Sequence, residues 1–369
     1  MSLKGPKRVI VGVSGGIGGA VTAALLKSQG YAVEGAFLRV LPQGGGLRSE
    51  FGGKCCQAFE LADAQQIASQ LQIPLHVVDV EGAFSEAVME PLLHGALANQ
   101  FCVPCLDCTK QVKLAPLMAA AEARGFQAYA TGHRVITEVD PTSGRMRVLR
   151  AREALHDESF HFLETPQELL RPLMTPLGEI TQTMLFRLAA EMGLPELDSR
   201  LGDPLCFWDA PGLNRYLDLG IAKSLRVKGI ARTDEGRFVG DHDGLFQFRY
   251  GQDVAELFHY KGEDGLVVLG FDSVQSALIV GPAGSLSHRK FRGVRAQWMR
   301  PLDPLKTHSL DVQFGPAELP IPSAVTLFEN NAVQIDCVSD RVRAFPGMAF
   351  AVYQGDELLG GGRVERWLE

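Results

Sequence analysis

The strongest chemical signal in the chain is a cluster of cysteines in residues 101–110, which read FCVPCLDCTK. Cys102, Cys105 and Cys108 stand there at a strict three-residue spacing, and the whole chain has seven cysteines. In a reducing compartment such clustering marks metal binding or sulfur chemistry more often than a disulfide scaffold. The structural alternative is three buried small side chains, since a free cysteine packs like a small hydrophobic residue. We therefore expect this segment to bind a metal or to move sulfur.

A second candidate segment is rich in glycine and lies near the N-terminus, where residues 14–20 read SGGIGGA. It follows a β-branched run at residues 7–13 and precedes an apolar helical stretch at residues 21–27. A strand, a glycine-rich turn and a helix in this order direct backbone N–H groups and a helix N-terminus at phosphate. The segment is neither a Walker loop nor GxGxxG, so a tight turn for close packing is the structural alternative.

Both segments must be positioned by secondary structure, which the hydrophobic patterns predict. The expected strands cover residues 7–13, 32–40, 74–80 and 127–131, and the expected helices cover residues 21–27, 59–71, 84–99 and 115–124. Strands that alternate with helices at this spacing predict a parallel α/β sheet, with its sites beyond the carboxyl ends of the strands. Ser14, the cysteine cluster and His133 all fall in that zone.

The second half of the chain has a different pattern. A hairpin is expected at residues 135–150, followed by helices near residues 166–170 and 181–192. After residue 223 short alternating runs with glycine turns predict β structure only. We therefore expect an α/β catalytic domain with a helical extension at residues 1–222, a small central β domain at 223–285 and a C-terminal β-barrel at 286–369.

Composition narrows the class of protein. Apolar residues make up 46% and charged residues 21% of the 369 residues, as in ordinary globular proteins. No run approaches the roughly 20 apolar residues of a membrane span, and the N-terminus lacks the apolar core of a signal peptide. A cytoplasmic protein without a membrane partner is the expectation. The net charge of −7 does not indicate a nucleic-acid binder by itself, although a local basic face is compatible with it.

Short motifs spread over nearly the whole chain carry a family resemblance. In order they read VIVGVSGG at residues 9–16, LADA at 61–64, ATGH at 130–133, DESF at 157–160, LCF at 205–207, GDHDG at 240–244 and LGGG at 359–362. In order and spacing they resemble the tRNA-specific 2-thiouridylases, enzymes of the PP-loop ATP-pyrophosphatase class. The resemblance implies an N-terminal adenine-nucleotide-hydrolase-like α/β domain, a small central domain and a C-terminal β-barrel.

The resemblance also implies a reaction and its residues. ATP with Mg²⁺ activates the C2 oxygen of a uridine in tRNA as an adenylate, and sulfur carried by a cysteine displaces AMP. Cys108 matches the first catalytic cysteine and Cys206 the cysteine that carries a persulfide. The ATP site would comprise Gly12, Val13, Ser14, Gly15, Gly16, Ile17, Gly18, Gly19, Leu38 and Gly132. Residues near the target base would be Val103, Pro104, Cys105, His133, His156, Asp157 and Glu158.

The partners implied are tRNA and a sulfur-relay donor protein, with no DNA.

Two departures from the family pattern affect the nucleotide and sulfur sites. Gly18 and Gly19 replace the Asp and Ser of the family's SGGxDS loop, which removes a carboxylate suited to Mg²⁺ and a hydroxyl suited to phosphate. Cys105 replaces an Asp, so that Cys105, Cys108 and Cys206 together offer three thiolates, enough for a [4Fe–4S] cluster with one open iron. Zinc with Cys102 as fourth ligand, and a metal-free persulfide relay through Cys108 and Cys206, are the alternatives.

A third departure concerns RNA. The barrel segments that read RYRQ and PGQ in the family are VQFG at residues 312–315 and PGM at 346–348, although basic pairs such as Arg289 with Lys290 and Arg341 with Arg343 could compensate. Three hypotheses follow. The chain is an ATP-using tRNA sulfurtransferase, an Fe–S enzyme that removes or moves sulfur without adenylation, or a non-catalytic relative that binds RNA or nucleotide.

Overall fold

The computed structural model describes residues 7–40, 61–100, 104–194, 216–218, 220–254, 258, 265–316, 318–328 and 330–368. The chain divides into two compact units. The first comprises Met1–Val88, Cys105–Ala210 and Asp356–Leu358, and the second comprises Met89–Pro104, Pro211–Gly355 and Leu359–Glu369.

The helices and strands have the following bounds. The α-helices are α1 (Ile17–Ser28), α2 (Leu61–Leu71), α3 (Glu81–Phe84), α4 (Glu90–Leu97), α5 (Pro104–Asp107), α6 (Ala115–Glu122), α7 (Gln167–Leu170) and α8 (Gln182–Glu191). Two π-helical segments cover Ser85–Met89 and Cys108–Leu114. Short 3₁₀ turns lie at Ala154–His156, Ser159–Phe162, Lys223–Leu225, Leu245–Gln247 and Ala283–Leu286.

The strands are β1 (Arg8–Gly12), β2 (Ala32–Arg39), β3 (Leu75–Asp79), β4 (Ala128–Ala130), β5 (Val135–Val139), β6 (Met146–Arg150), β7 (Leu173–Met174), β8 (Gly229–Thr233), β9 (Phe238–His242), β10 (Leu266–Asp272), β11 (Ala277–Pro282), β12 (Lys290–Trp298), β13 (Thr307–Phe314), β14 (Ile321–Leu327), β15 (Val333–Cys337), β16 (Ala349–Gln354) and β17 (Glu357–Leu368).

The first unit is built on a parallel sheet of order β3-β2-β1-β4-β7. The central strand β1 carries Val9, Ile10 and Val11, which are fully buried. A strand that is apolar at successive positions belongs in a sheet covered on both faces, because both sets of side chains are then removed from water. The helix α1 packs on this sheet with α2 and α8. The parallel α/β fold predicted for this part of the chain is therefore confirmed.

The helix that carries the cysteines begins earlier than expected. Its α-helical bounds were predicted near Ala115, but α5, the π-helical segment Cys108–Leu114 and α6 follow one another without a break. Pro116 favours a helix start at this point, because proline lacks an N–H and its ring clashes with the carbonyl four residues earlier. A wider π-turn just before the proline relieves that clash and lets the helix continue. Another π-segment, Ser85–Met89, lies before Pro91 in the same way.

A β-hairpin in the first unit agrees with its prediction. The strands β5 and β6 pair antiparallel, and the carboxylate of Asp140 accepts hydrogen bonds from Thr142 N at 2.9 Å and Ser143 Oγ at 2.6 Å in the turn. Gly144 closes the turn with a φ of 69°, which glycine adopts without strain. Aspartate, serine and glycine together therefore define this turn.

The second unit is rich in β structure. It contains a sheet of order β10-β11-β8-β9 and a barrel whose strands β12-β15-β14-β13-β16-β17 close through a β12–β17 pairing. Phe291, Phe314 and Phe350 fill the barrel core. Closure removes the exposed sheet edges that otherwise invite strand addition. The predicted fold class, with a small central β domain and a C-terminal barrel, is confirmed, whereas the boundaries at residues 222 and 285 stay predictions.

None of the helices in the described part of the chain is long and apolar enough to cross a membrane.

The barrel core gives a first testable expectation. Phe291→Ala removes a fully buried ring and should lower the free energy of unfolding by about 3–5 kcal/mol, because the loss of burial is compounded by a cavity. The matched control is Phe238→Ala, whose side chain is 56% exposed and whose replacement should cost less than about 1 kcal/mol. Urea unfolding followed by fluorescence measures both. Equal losses in the two variants would contradict the assignment of Phe291 to the core.

Candidate functional site

The glycine segment forms the turn between β1 and α1. The strand ends at Gly12, Val13 N donates to Ala36 O at 2.8 Å, and the helix begins at Ile17. Gly15 has a φ of 98°, a conformation that side chains disfavour. Gly16 occupies the N-cap position and offers no side-chain cap. The first N–H groups of α1 therefore have no acceptor within the helix, which is the arrangement that binds anions.

Gly132 is pressed against this turn. A Cβ atom built on Gly132 would lie 2.6 Å from the carbonyl carbon of Gly18 and 2.7 Å from the amide nitrogen of Gly19. A Cβ on Gly19 would lie 2.6 Å from the oxygen of Gly12. Each of these distances is too short for a real side chain, so the close-packing interpretation of the glycines holds here. Close packing of glycines is compatible with phosphate binding, because it leaves main-chain N–H groups uncovered by side chains.

The ten predicted nucleotide residues thus have definite places. Gly12 to Gly19 are consecutive in the turn, and only Ser14 among the middle residues is exposed. Leu38 lies on β2, two residues beyond the position at which Ala36 pairs with Gly12. Gly132 follows β4, the neighbour of β1 on the other side. All ten lie at or beyond the carboxyl ends of adjacent strands, where α/β sheets bind ligands.

The helix that carries Cys105 and Cys108 packs on β1, the strand that leads into this turn. Both cysteines are buried. Further along the same continuous helix, Leu117 packs on Gly12, since a Cβ there would be 3.1 Å from Leu117 Cδ1. The π-segment with Cys108 also contacts the 3₁₀ turn Ser159–Phe162. One continuous helix therefore carries the cysteines and packs on Gly12, the end of the strand that leads into the glycine turn.

Lys110 does not act as an isolated positive charge beside Cys108. Its Nζ lies 3.3 Å from Asp107 Oδ1 and 3.6 Å from Glu164 Oε2. Two carboxylates therefore share its charge. The pairing also ties the cysteine helix to Glu164, which follows the 3₁₀ turn Ser159–Phe162.

His133 is buried next to the cysteine helix and the glycine turn. Its Nδ1 lies 2.9 Å from Thr131 Oγ1, and its ring meets Phe162 edge to face at a centroid distance of 5.3 Å. Burial lowers the pKa of His133 well below its usual range, and the neighbouring Lys113 and His161 lower it further. The imidazole is therefore neutral at neutral pH and can both accept and donate a hydrogen bond.

The next residue, Arg134, anchors this region through a buried polar network. Its backbone N donates to Glu158 Oε2 at 2.7 Å, and Glu158 N donates to its carbonyl at 2.9 Å. Its guanidinium contacts Glu153 Oε2 at 3.2 Å and also Gln182 Oε1. Burial lowers the pKa of Arg134, while Glu153 and Glu158 oppose that shift. These partners make the buried charge tolerable.

Three residues after His133 were also predicted to contact the base, namely His156, Asp157 and Glu158. Their side chains form hydrogen bonds with other residues of the protein. Asp157 accepts from Ala151 N at 2.8 Å and Ser159 Oγ at 2.7 Å, and burial raises its pKa. His156 Nδ1 lies 3.1 Å from Glu153 Oε2. Glu158 binds Arg134, as described above. A direct role for these residues at a base stays a prediction. In this structure they hold His133 and the turn after it in position.

Several predicted site residues lie outside the described part of the chain, namely Cys102, Val103 and Cys206. Pro104 is described and starts the cysteine helix. Among the described residues, no three His, Cys, Asp or Glu side chains form a group that could hold a metal ion. Because the ligand sets of the cluster and of the zinc site include Cys206 and Cys102, both remain predictions.

Sequence reasoning missed some residues of this region. Arg134, Glu153, Gln182 and His161 were not singled out, although they surround His133 or hold its neighbours in place. One feature of the sequence could have indicated them: Arg134 directly follows the TGH motif. An arginine near the end of a buried strand needs partners for its charge. The partners themselves are 19 to 48 residues away, so no local pattern shows them.

Comparison with known proteins agrees with these features. Residues 7–210 match the family model described as tRNA methyl transferase HUP domain, and residues 288–364 match the aminomethyltransferase beta-barrel domain. The tRNA-specific 2-thiouridylase MnmA of a Synechococcus species is 31% identical over 362 residues, which cover 98% of this chain and 98% of that protein. The chain belongs to the tRNA-specific 2-thiouridylase family. The 2-thiouridylase of Methylorubrum populi is similar, with 32% identity over 97% of this chain and 94% of that protein.

Among solved structures, the NMN synthetase of Francisella tularensis shares 15% identity at a TM-score of 0.32, over 56% of this chain and 69% of that chain. A likeness at this level does not bear on function. The family membership therefore rests on the sequence relatives, the 2-thiouridylases, and on the two family models.

The contact at Gly132 gives a prediction for this 2-thiouridylase family member. Gly132→Ala should destabilise the first unit by about 1–3 kcal/mol, because the added Cβ overlaps the main chain of Gly18 and Gly19. The matched control is Gly82→Ala in α3, where a Cβ meets nothing within 4 Å and the helix gains about 0.5–1 kcal/mol. Urea unfolding monitored by circular dichroism measures both, and a harmless Gly132→Ala would refute the close approach.

The buried His133 predicts a pH dependence. Because the folded protein keeps His133 neutral, whereas the unfolded chain takes up a proton below pH 6.5, stability is lost as the pH falls below that value. The loss from this residue is at most about 1.4 kcal/mol per pH unit. His133→Gln keeps a partner for Thr131 but cannot be protonated, so its urea midpoint should fall less between pH 7.5 and 5.5. An equal fall in both proteins would show that other groups cause it.

Proposed function

We propose that the protein is an ATP-dependent tRNA 2-thiouridylase that places sulfur on C2 of a uridine. Membership of the 2-thiouridylase family over 98% of the chain supports the reaction class. The observation that carries the proposal is the packing of Leu117 on Gly12, because it joins the helix of Cys108 to the turn suited to phosphate. Activation and sulfur transfer require these two groups in one region of the protein.

The nucleotide part of the reaction uses main-chain donors. The N–H groups at the start of α1 and around Gly15 are suited to the phosphates of ATP. The uracil O2 attacks the α-phosphorus, and pyrophosphate leaves. Gly18 provides no carboxylate to the turn, so Mg²⁺, which would neutralise charge on the phosphates, would be held by the nucleotide rather than by this segment. Preorganised main-chain donors stabilise the charge that develops on the phosphates.

The sulfur part of the reaction uses the cysteines. In our proposal the outer sulfur of a persulfide on Cys206 attacks C2 of the activated uridine, and AMP leaves with the former O2. The thiolate of Cys108 then attacks the inner sulfur, so that the base keeps the transferred sulfur and Cys108 and Cys206 form a disulfide. An external thiol reduces this disulfide and is itself oxidised, and a sulfur-relay donor protein then transfers the outer sulfur of its own persulfide to the Cys206 thiolate. Neutral His133 would bind the target base by hydrogen bonds.

A direct test replaces the proposed thiol. Cys108→Ser should abolish 2-thiouridine formation, because an alcohol cannot attack a persulfide sulfur. The matched control is Cys337→Ser at a buried cysteine of the barrel, which should retain thiolation. The measurement is mass spectrometry of nucleosides from an unmodified tRNA transcript after incubation with ATP, a persulfide donor and a thiol reductant, together with release of AMP and pyrophosphate. Thiolation by Cys108→Ser, or none by wild-type protein, contradicts the proposal.

The form of the sulfur is a separate question with its own assay. A persulfide on a cysteine releases thiocyanate when treated with cyanide, whereas sulfide bound to an Fe–S cluster is accompanied by iron. We expect anaerobically purified wild-type protein to release thiocyanate and to lack stoichiometric iron. Iron and acid-labile sulfide in stoichiometric amounts would favour the cluster built on Cys105, Cys108 and Cys206.

A further inference from the structure

Cys105 lies one helical turn before Cys108 and takes no part in the sulfur transfer proposed above. The two cysteines enclose two residues in the sequence CLDC, and neither forms a disulfide in this structure. We propose that Cys105 is a further catalytic residue, namely the thiol that resolves the disulfide left on Cys108 after sulfur transfer. This inference rests on the proposed function and adds one step to it.

The helix places the two cysteines on one face. Cys105 lies in α5, and Cys108 begins the π-helical segment that follows α5 without a break. Residues three apart on an α-helix differ by about 60° around its axis and have Cβ atoms about 5–6 Å apart. A disulfide requires about 3.5–4.5 Å between Cβ atoms. A small adjustment of one helical turn therefore brings the two sulfurs within bonding distance.

The two residues between the cysteines hold this turn in place. Leu106 is 1% exposed and anchors the turn in the protein interior. On the outer side, Asp107 Oδ1 accepts a hydrogen bond from Gln111 Nε2 at 2.9 Å and lies 3.3 Å from Lys110 Nζ. An apolar anchor on one side and polar contacts on the other therefore keep the two thiols next to each other.

Burial and position in the sheet both favour chemistry between these two thiols. Cys105 is 8% exposed and Cys108 is 6% exposed, so a thiol from solution reaches either sulfur slowly. Attack by a neighbouring thiol needs no such encounter and has a high effective concentration. The pair also lies in the helical connection between β3 and β4 of the parallel sheet. A CxxC sequence in such an α/β fold is typical of a redox-active dithiol.

The proposed step is a thiol–disulfide exchange. The thiolate of Cys105 attacks the sulfur of Cys108 in the Cys108–Cys206 disulfide, the bond between those two sulfurs breaks, and Cys206 leaves as a thiolate. One disulfide replaces another, so the protein undergoes no net oxidation or reduction in this step. Two equivalents of the external thiol then reduce the Cys105–Cys108 disulfide and are themselves oxidised to a disulfide. Cys206 is thereby released for the next persulfide without waiting for that slow reduction.

The first test identifies the disulfide that remains after one turnover. Wild-type protein and Cys105→Ser, each loaded with persulfide, are mixed with ATP and an unmodified tRNA transcript in the absence of reductant. The reaction is quenched in acid, the remaining thiols are alkylated, and the peptides are analysed by mass spectrometry. Chymotrypsin cleaves after Leu106 and so separates Cys105 from Cys108. Cys337→Ser, at the buried cysteine of the barrel, is the matched control.

In wild-type protein and in the control we expect a Cys105–Cys108 disulfide and alkylated Cys206 in most molecules that have formed 2-thiouridine. In Cys105→Ser we expect the same yield of 2-thiouridine in the first turnover, with a Cys108–Cys206 disulfide and almost no alkylated Cys206. A Cys108–Cys206 disulfide beside alkylated Cys105 in wild-type protein overturns the proposal. Loss of the first turnover in a Cys105→Ser protein that keeps the wild-type urea midpoint overturns it as well, because Cys105 then acts before the disulfide forms. The wild-type pattern decides the question even where the variant is unstable.

The second test needs no turnover and separates this inference from the proposed function. The full chain is equilibrated with mixtures of reduced and oxidised dithiothreitol, without ATP or tRNA, and is analysed in the same way. We expect Cys105 and Cys108 to form a reversible disulfide, whereas Cys337 stays reduced. No such disulfide in any mixture, or stoichiometric iron that is lost in Cys105→Ser, overturns the inference. Failure of the proposed function is a different result, namely a reversible Cys105–Cys108 disulfide in a protein that forms no 2-thiouridine.

Discussion

The contact between Gly132 and the turn of Gly18 and Gly19 is the constraint on which the candidate site depends. Three main-chain segments meet there, namely the end of β1, the start of α1 and the end of β4. None of them could approach so closely with a side chain in between. The close contact fixes the direction of α1 and hence of its free N–H groups. It also sets the backbone of the TGH segment after β4, and thereby His133, at a fixed distance from the turn.

A second requirement is that the segment after β4 stays in place around a buried imidazole. Arg134 meets it by binding Glu158 through its main chain and Glu153 through its guanidinium. The cost of burying this guanidinium is offset by carboxylates from two other parts of the chain. Gln182, at the first turn of α8, joins the same network through its N–H and its side chain. A helix, a 3₁₀ turn and a strand end are therefore held together by polar groups rather than by apolar packing alone.

Much of the fold could be predicted from local patterns, and the reasons for the exceptions are physical. The apolar run at Val9 to Val11 is a strong local signal, and the structure agrees with it. The strand Leu173–Met174 was missed because two residues have no detectable period. The start of the cysteine helix was misjudged because a proline can follow a π-turn as well as begin a helix.

The candidate site was predictable to the extent that it is contiguous in sequence. The glycine turn and the cysteine helix are continuous segments, and the family resemblance assigned them roles. The environment of His133 was not predictable, since Arg134 finds Glu153 and Gln182 only after folding. The balance of charge around Lys110 is another long-range outcome, because three strands of the chain separate it from Glu164.

The π-helical segment at Cys108–Leu114 has a consequence for the angular position of the cysteines. A π-turn is equivalent to one extra residue in an α-helix, and each α-helical residue turns the chain by about 100°. The face that presents Cys105 and Cys108 is therefore set independently of the face through which Leu117 packs on Gly12. Loss of a single residue within the segment would preserve every side chain at both ends and still rotate the thiols away from their present direction. The number of residues in this segment therefore matters as much as their identity, because it sets the direction in which the two thiols point.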